Sequence, residues 1–178
     1  YFINKNYKFK KKLVGDALIT NIKNIAVGVL TADCVPILIF DKNKKIISAI
    51  HSGWRGIYNE IIIKVTNFII KKGSKKKNLF VAIGPCIGKK NYEVQKDFMI
   101  KFIKKDTKYK KFFYFKKNKT YFCLNECVYY QFKKQGIKNL EIINKDTYES
   151  KNKFFSARKS IKNKEDDYGR NISIIMIN

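Results

Sequence analysis

Cys34 and His51 are the two residues of this chain best suited to chemistry, and one predicted hairpin joins them. The segment CVPILIFDKNKKIISAIH has two apolar runs around a polar stretch, which is typical of paired strands and their turn. With the turn centred on Lys42 and Asn43, the thiol and the imidazole lie directly opposite each other. Opposed side chains have Cβ atoms about 5 Å apart. The pair is therefore predicted to bind one zinc ion or to act as nucleophile and base.

A structural interpretation of the same pair stays open at this point. Cys34 is also explained as a buried small residue, with His51, the only histidine of the chain, as a capping side chain beside it. A bulge in either strand would shift the register and separate the two residues.

Length and composition favour one domain over residues 1–178. The chain has 45% apolar residues, enough for a single core, and no apolar run approaches the roughly 18 residues of a membrane helix. The first residue is Tyr1 and not Met, so we expect an upstream segment to be missing from this sequence. Residues 1–12 are rich in lysine and aromatic residues without a clear period, and are predicted to be a frayed remnant of a longer element.

The net charge of +25 is a weak argument for nucleic-acid binding. Of the 39 basic residues only Arg55, Arg158 and Arg170 are arginines, and the 36 lysines are scattered over the whole chain. Base recognition favours arginine, and single-strand binding requires aromatic residues beside a basic groove. We therefore expect neither a nucleic-acid partner nor a membrane, although the charge would attract phosphate-bearing ligands.

The four cysteines show neither a disulfide framework nor a CxxC pair, which favours a reducing compartment and a cytoplasmic location. Cys123 and Cys127 are spaced for one face of a helix and are interpreted as packing residues. Cys86, in the GPCIG loop, is either a spare soft ligand or a buried thiol.

Strand and helix patterns alternate irregularly, which predicts an α+β fold of mixed sheets flanked by helices. The predicted strands cover residues 25–30, 79–83, 137–143 and 172–177, with a small hairpin at 112–122. The first predicted helix has apolar positions from Ile57 to Ile69 and stops at Gly73. The others run from after Val94 to about Lys105 and from Leu124 to Gln135. The HSGWRG segment falls between a strand and a helix, where free backbone N–H groups favour anions.

Several rare motifs in a fixed order resemble the laccase-domain family over essentially the whole chain. They are GDALIT, GVLTADCVPIL, AIHSGWRG, AIGPCIG with YEV, LNECVYYQFKKQGI, DTYES, FFSARKS and YGRNIS. Members of that family are described as multicopper polyphenol oxidases, as peptidoglycan editing factors, and as purine nucleoside phosphorylases with adenosine deaminase activity. The resemblance implies a layered αββα sandwich.

The resemblance also implies a mononuclear zinc site with Cys34 and His51 as ligands. The family takes its third ligand from an upstream Gln-x-His-Gly motif, and this sequence has no such motif. The third protein ligand is therefore expected upstream of this chain. With two ligands alone a zinc site would be weak, since catalytic sites use three plus a water.

The implied substrates are purine nucleosides and phosphate, and the implied products are the base and ribose 1-phosphate. Arg55, with Arg158 and Arg170, is the candidate phosphate clamp, and Glu93 and Asp33 are candidate proton carriers. Salt bridges for Arg158 and Arg170, an exposed carboxylate for Glu93 and a strand-end cap for Asp33 are the structural alternatives. The family pattern FFSYRR is altered here to FFSARK, with Ala157 and Lys159.

Two other chemistries remain open. Cys34 and His51 without metal would make a hydrolase or amidase acting on cell-wall precursors. Copper-dependent phenol oxidation would follow the older family description, but multicopper oxidation needs many histidine ligands and this chain has one.

Overall fold

The computed structural model describes residues 1–7 and 13–178. The strands are β1 (Phe2–Ile3), β2 (Ala17–Thr20), β3 (Ala26–Thr31), β4 (Val35–Asp41), β5 (Ile46–Ser52), β6 (Leu79–Ile83), β7 (Glu93–Val94), β8 (Phe113–Lys116), β9 (Lys119–Phe122), β10 (Asn139–Ile142) and β11 (Asn171–Met176). The α-helices are α1 (Trp54–Tyr58), α2 (Ile61–Lys71), α3 (Lys96–Lys105), α4 (Leu124–Lys134) and α5 (Ala157–Asn163). The α+β prediction is confirmed.

A six-stranded sheet in the order β1-β2-β5-β4-β6-β10 forms the centre of the fold. The outer pairs β1–β2 and β6–β10 are parallel, and the pairs between them are antiparallel. Strands β4 and β5 are almost wholly buried, because α1, α2 and α4 cover one face of the sheet. Their near-continuous apolar sequences follow from being covered on both faces.

The other face of this sheet packs against a two-stranded sheet of β3 and β11. Ile47 and Ala49 of β5 meet Val27 and Ile177 in this second, smaller core. On the outside of the two-stranded sheet, Leu30 and Ile172 are 60% and 62% exposed. Within residues 1–7 and 13–178, the layers are therefore helices, a large sheet and a small sheet.

A third sheet in the order β7-β9-β8 carries the aromatic residues of the core. Phe98 and Phe102 of α3 pack on Phe113 and Phe122, with ring centroids 5.0 to 6.1 Å apart. This cluster supports the segment that contains Tyr92 and Glu93. No helix in the described part of the chain is long and apolar enough to cross a membrane.

Two sequence predictions about local structure are wrong. The helix predicted over 57–69 is split into α1 and α2, because Glu60 adopts a left-handed backbone (φ 60°). At this break the carbonyl of Ile57 accepts a hydrogen bond of 3.0 Å from the Gln131 amide, in addition to one of 3.1 Å from the Glu60 N–H. At the start of the chain, β1 pairs in parallel with β2 instead of being frayed. Residues 8–12 of that predicted remnant lie outside the described residues.

The turn between β4 and β5 has four residues and is held by Asp41. One Asp41 carboxylate oxygen accepts hydrogen bonds from the N–H groups of Asn43 and Lys44, at 2.7 and 3.0 Å. The turn is therefore centred between Asn43 and Lys44, one residue later than predicted. In this register Pro36 lies opposite His51, and Val35 lies opposite Ser52.

We expect Asp41→Ala to lower the free energy of unfolding by about 1–3 kcal/mol, because two turn N–H groups lose their acceptor. Asn43→Ala, in the same turn but exposed, should change it by less than about 0.5 kcal/mol. Urea denaturation of both variants measures the difference. Equal effects would show that the carboxylate does not hold the turn.

Candidate functional site

His51 is oriented by Asp16, a residue of the turn before β2. The His51 Nδ1 atom lies 2.9 Å from a carboxylate oxygen of Asp16, and the His51 backbone N–H donates to the Asp16 carbonyl at 2.8 Å. A carboxylate accepts hydrogen bonds, so Nδ1 carries the proton in this arrangement. In this tautomer Nε2 carries the lone pair, which can bind a metal ion or accept a proton.

Cys34 lies on the same side of the hairpin as His51, but it is not directly opposite. The prediction of an opposed pair is wrong because the turn is centred one residue later, which places Cys34 level with Gly53. A Cβ atom on Gly53 would lie only 2.7 Å from the Cys34 sulfur, so glycine is required there. Alternate residues of a strand share a face, and Cys34 and His51 are therefore diagonal neighbours.

Burial raises the pKa of the Cys34 thiol to about 11, and the carboxylates of Asp33 and Asp16 raise it further in the same direction. At pH 7 only about one Cys34 in ten thousand would be ionised in the absence of a cation. This environment disfavours an unassisted thiolate nucleophile. A cation held beside the sulfur would reverse the effect, because it stabilises the thiolate.

Asp33, the residue before Cys34, connects three loops of the site. Its carboxylate oxygens accept hydrogen bonds from the Thr147 hydroxyl and from the Arg158 backbone N–H, both at 2.7 Å. Its carbonyl oxygen accepts the Ile87 N–H at 3.0 Å. Asp33 is 8% exposed and has a left-handed backbone (φ 81°). Both carboxylate oxygens of Asp33 thus accept hydrogen bonds from the protein. These contacts agree with the structural interpretation of Asp33 as a cap at the end of a strand.

Arg55, Glu93 and Arg158 lie together around one cleft of about 570 Å³, named here the arginine cleft. The arginines come from α1 and α5, and Glu93 comes from β7. The Arg55 guanidinium lies over the Trp54 ring at 5.1 Å, and that of Arg158 over the Tyr92 ring at 5.4 Å. The cleft is lined by Trp54, Arg55, Tyr92, Glu93, Val94, Gln95, Asp97, Phe98, Lys101 and Arg158.

Glu93 and Arg158 are also connected to each other through the main chain. The Arg158 guanidinium donates to the Glu93 carbonyl at 3.1 Å, and the Glu93 carboxylate forms an ion pair of 2.9 Å with Lys119. Arg158 therefore contacts Glu93 without neutralising its carboxylate. The positive charge of this guanidinium stays available to an anion in the arginine cleft.

Arg170 lies outside the residues that line the arginine cleft. Its guanidinium donates to the Tyr168 carbonyl and forms an ion pair of 3.3 Å with Asp167. The structure therefore brings together two of the three predicted phosphate-binding arginines. A substrate-binding role for Arg170 stays a prediction.

Cys86 is buried in the GPCIG loop and pairs with the DTYES segment. It forms a parallel bridge with Asp146, and its carbonyl accepts the Thr147 N–H at 3.0 Å. Burial raises the pKa of the Cys86 thiol, and Cys123 and Asp146 act in the same direction. An added Cβ on Gly88 would lie 2.2 Å from the Asp146 carboxylate, so this loop tolerates only glycine there. These contacts are those of a buried loop thiol.

Sequence reasoning missed Asp16 and Tyr92 as site residues. Asp16 lies in the GDALIT motif and Tyr92 in the YEV motif. Both motifs contributed to the family resemblance, so membership of these motifs was the signal that could have identified the two residues. Tyr92 lines the arginine cleft, and Cys34 and Asp33 raise the pKa of its hydroxyl while Arg158 lowers it. Burial is the largest cause that raises the pKa of this hydroxyl.

Cys34 and His51 are donors of the types that zinc prefers. The Asp16–His51 contact also matches the carboxylate that commonly orients a zinc-bound histidine. Within residues 1–7 and 13–178, no group of three His, Cys, Asp or Glu side chains could hold a metal ion. The described residues thus fit zinc in donor type and supply two protein ligands.

Comparison with known proteins identifies the family. The sequence profile described as multi-copper polyphenol oxidoreductase laccase matches residues 4–178, and the chain belongs to this family. The protein called purine nucleoside phosphorylase in Rickettsia conorii is 38% identical over 159 residues, which cover 88% of this chain and 65% of that protein. The protein of the same name in Clostridium acetobutylicum is 36% identical over 168 residues, 86% and 65% of the two chains.

A shorter match links this chain to a protein named adenosine deaminase, from an unknown prokaryotic organism. It is 38% identical over 79 residues, which cover 44% of this chain and 30% of that protein. The chain spans less than two thirds of the length of these curated relatives.

Solved structures confirm the fold. The hypothetical protein YfiH of Bacillus licheniformis superimposes with a TM-score of 0.81 at 27% identity, covering 92% of this chain and 61% of that one. A Neisseria meningitidis protein superimposes with a TM-score of 0.77 at 24% identity, covering 92% and 65%.

The raised pKa of Cys34 predicts slow alkylation of the metal-free protein by iodoacetamide. At pH 7 we expect a rate roughly two orders of magnitude below that of free cysteine, rising until about pH 11, because only the thiolate reacts. Mass spectrometry of the modified peptide against pH measures this; the other three cysteines are buried. Rapid alkylation at pH 7 would instead support a thiolate nucleophile.

Proposed function

We propose that the protein is a zinc-dependent purine nucleoside phosphorylase with adenosine deaminase activity. It would cleave adenosine, inosine, guanosine and methylthioadenosine with phosphate, giving the base and ribose 1-phosphate. The observation that carries this proposal is the arginine cleft, where two guanidinium groups and three aromatic rings line one space and Trp54 follows directly on Gly53, the neighbour of Cys34. The names of the relatives point to the same chemistry.

Phosphate binding is assigned to Arg55 and Arg158. Guanidinium groups bind phosphate through two parallel hydrogen bonds, and a fixed plane improves that geometry. Each of these arginines lies over an aromatic ring, which limits the orientations of its guanidinium. Two such groups in the lining of one cleft would hold phosphate against C1′ of the ribose.

The nucleoside is assigned to the aromatic part of the same cleft. Trp54 and Tyr92 both pack edge-on against Phe98, at 5.2 and 6.5 Å between ring centroids. Both rings are half-buried in the cleft lining, where they offer apolar surface to a purine ring, with polar groups at the rim to orient it. Glu93 at the rim is a candidate to hold a ribose hydroxyl or to carry a proton.

Zinc would be held by Cys34 and by Nε2 of His51, with Asp16 fixing the imidazole. When bound, it supplies the Lewis acidity that lowers the pKa of a water molecule for attack at C6 of adenine. The cluster of Asp16, Asp33 and Cys34 favours a cation at this place, because two carboxylates lie near the thiol. A third protein ligand would complete the site.

We expect release of purine base from inosine only when phosphate is present. Arg55→Lys should raise the KM for phosphate about 10-fold or more, because a planar fork is replaced by a point charge. Coupled detection of hypoxanthine at varied phosphate concentration measures both effects. Turnover that continues unchanged without phosphate would refute the phosphorylase assignment.

Arg170→Lys makes the same chemical change outside the arginine cleft and serves as the comparison. Because the Arg170 guanidinium contacts Tyr168 and Asp167, we expect a smaller rise in the KM for phosphate. An equal rise would show that Arg170 reaches the phosphate during turnover.

Cys34→Ser is expected to remove zinc and adenosine deaminase activity together, because a hydroxyl is a much poorer zinc ligand than a thiolate. Elemental analysis after dialysis, with deamination measured on the same samples, tests this. Asp16→Asn should weaken zinc binding by about 10- to 100-fold, since the residue orients His51. If Cys34→Ser abolished activity while zinc content stayed normal, the sulfur would be a nucleophile and the hydrolase alternative would gain support.

A further inference from the structure

Tyr92 lines the arginine cleft, and its hydroxyl forms no hydrogen bond with a described residue. The Tyr92 side chain is half-buried and not enclosed. The Tyr109 hydroxyl, by comparison, lies in the core and accepts a hydrogen bond of 2.8 Å from Gln131. A phenol in the wall of a cleft, without a partner in the described part of the protein, is available to a bound ligand.

The Tyr92 ring is held in place from several sides. Its backbone N–H donates to the Gly88 carbonyl, and its carbonyl accepts the Phe122 N–H, both at 3.1 Å. The ring lies against the Arg158 guanidinium on one side and meets the edge of Phe98 on another. The ring therefore has a fixed position in the wall of the arginine cleft.

Phosphorolysis requires a hydrogen-bond donor near the departing purine. A phosphate oxygen forms a bond to C1′, the C1′–N9 bond breaks, and its electron pair passes into the purine ring. Monohydrogen phosphate supplies the proton that the released base finally carries, so the enzyme is unchanged after each cycle. A donor at N7 stabilises the negative charge that builds up on the imidazole part of the purine.

We propose that the Tyr92 hydroxyl donates a hydrogen bond to N7 of the purine leaving group. This assignment rests on the proposed function. Other side chains that line the arginine cleft are less suited: Glu93 is paired with Lys119, and the arginines are assigned to phosphate. Gln95 and Lys101 are exposed, whereas the Tyr92 phenol is half-buried, is held by its neighbours and forms no hydrogen bond with a described residue.

Tyr92→Phe should lower kcat for inosine by about 100-fold and leave kcat for 7-methylguanosine within about 3-fold. The N7 atom of 7-methylguanosine is methylated and positively charged, so this purine departs without a donor at N7. The KM for phosphate should stay unchanged for both substrates. Tyr129→Phe, on α4 and outside the arginine cleft, is the matched control and should affect neither substrate.

Equal losses on both nucleosides would mean that Tyr92 supports the structure, and a raised KM for phosphate would mean that it binds phosphate; either result overturns the proposal. Calorimetric binding of inosine and 7-deazainosine tests N7 recognition separately from turnover. The unaltered protein should bind inosine about 10-fold more tightly, and Tyr92→Phe should abolish that preference. If the unaltered protein prefers inosine to 7-deazainosine but does not cleave inosine with phosphate, only the proposed function is refuted. If the unaltered protein binds the two nucleosides equally, the role of Tyr92 is refuted.

Discussion

The buried carboxylate of Asp33 is the interaction on which the site depends. It precedes Cys34 directly and binds the DTYES loop through Thr147 and the FFSARKS segment through Arg158, while its carbonyl binds the GPCIG loop at Ile87. Four segments far apart in the chain therefore meet at one residue. A buried carboxylate is stable only when its oxygens are satisfied, so its partners must be in place whenever the protein is folded.

This arrangement couples the two halves of the site. On one side, Asp33 and Asp16 surround the thiol with negative charge, which favours a cation beside Cys34 and His51. On the other side, Arg55 and Arg158 present positive charge to the arginine cleft. Tyr92 lines the arginine cleft, and Cys34 is among the groups that influence its hydroxyl. Negative charge around the thiol and positive charge in the arginine cleft would suit a reaction that transfers ribose from a purine to phosphate, which is the basis of the proposed function.

Much of the fold could be predicted from the sequence, because short-range patterns define its elements. The strand predicted at 79–83 matches β6, and the helix predicted from Leu124 ends within one residue of α4. The failures came where single side-chain contacts act on the backbone. The break before Ile61 accompanies a hydrogen bond from Gln131, and the hairpin register follows from one carboxylate oxygen of Asp41. Neither contact leaves a periodic signal in the sequence.

By itself, the sequence determined the family, the strand and helix order, and the residue types able to bind metal and phosphate. Only the tertiary structure decided which of them meet. It placed Asp16 behind His51, Arg55 and Arg158 around one cleft, and Arg170 outside it. The physical reason is the separation along the chain of the groups that interact. The periodicity of apolar residues reflects the local backbone conformation. A hydrogen bond between residues more than 100 positions apart, such as the one that Arg158 donates to Asp33, depends on how the sheets and loops pack.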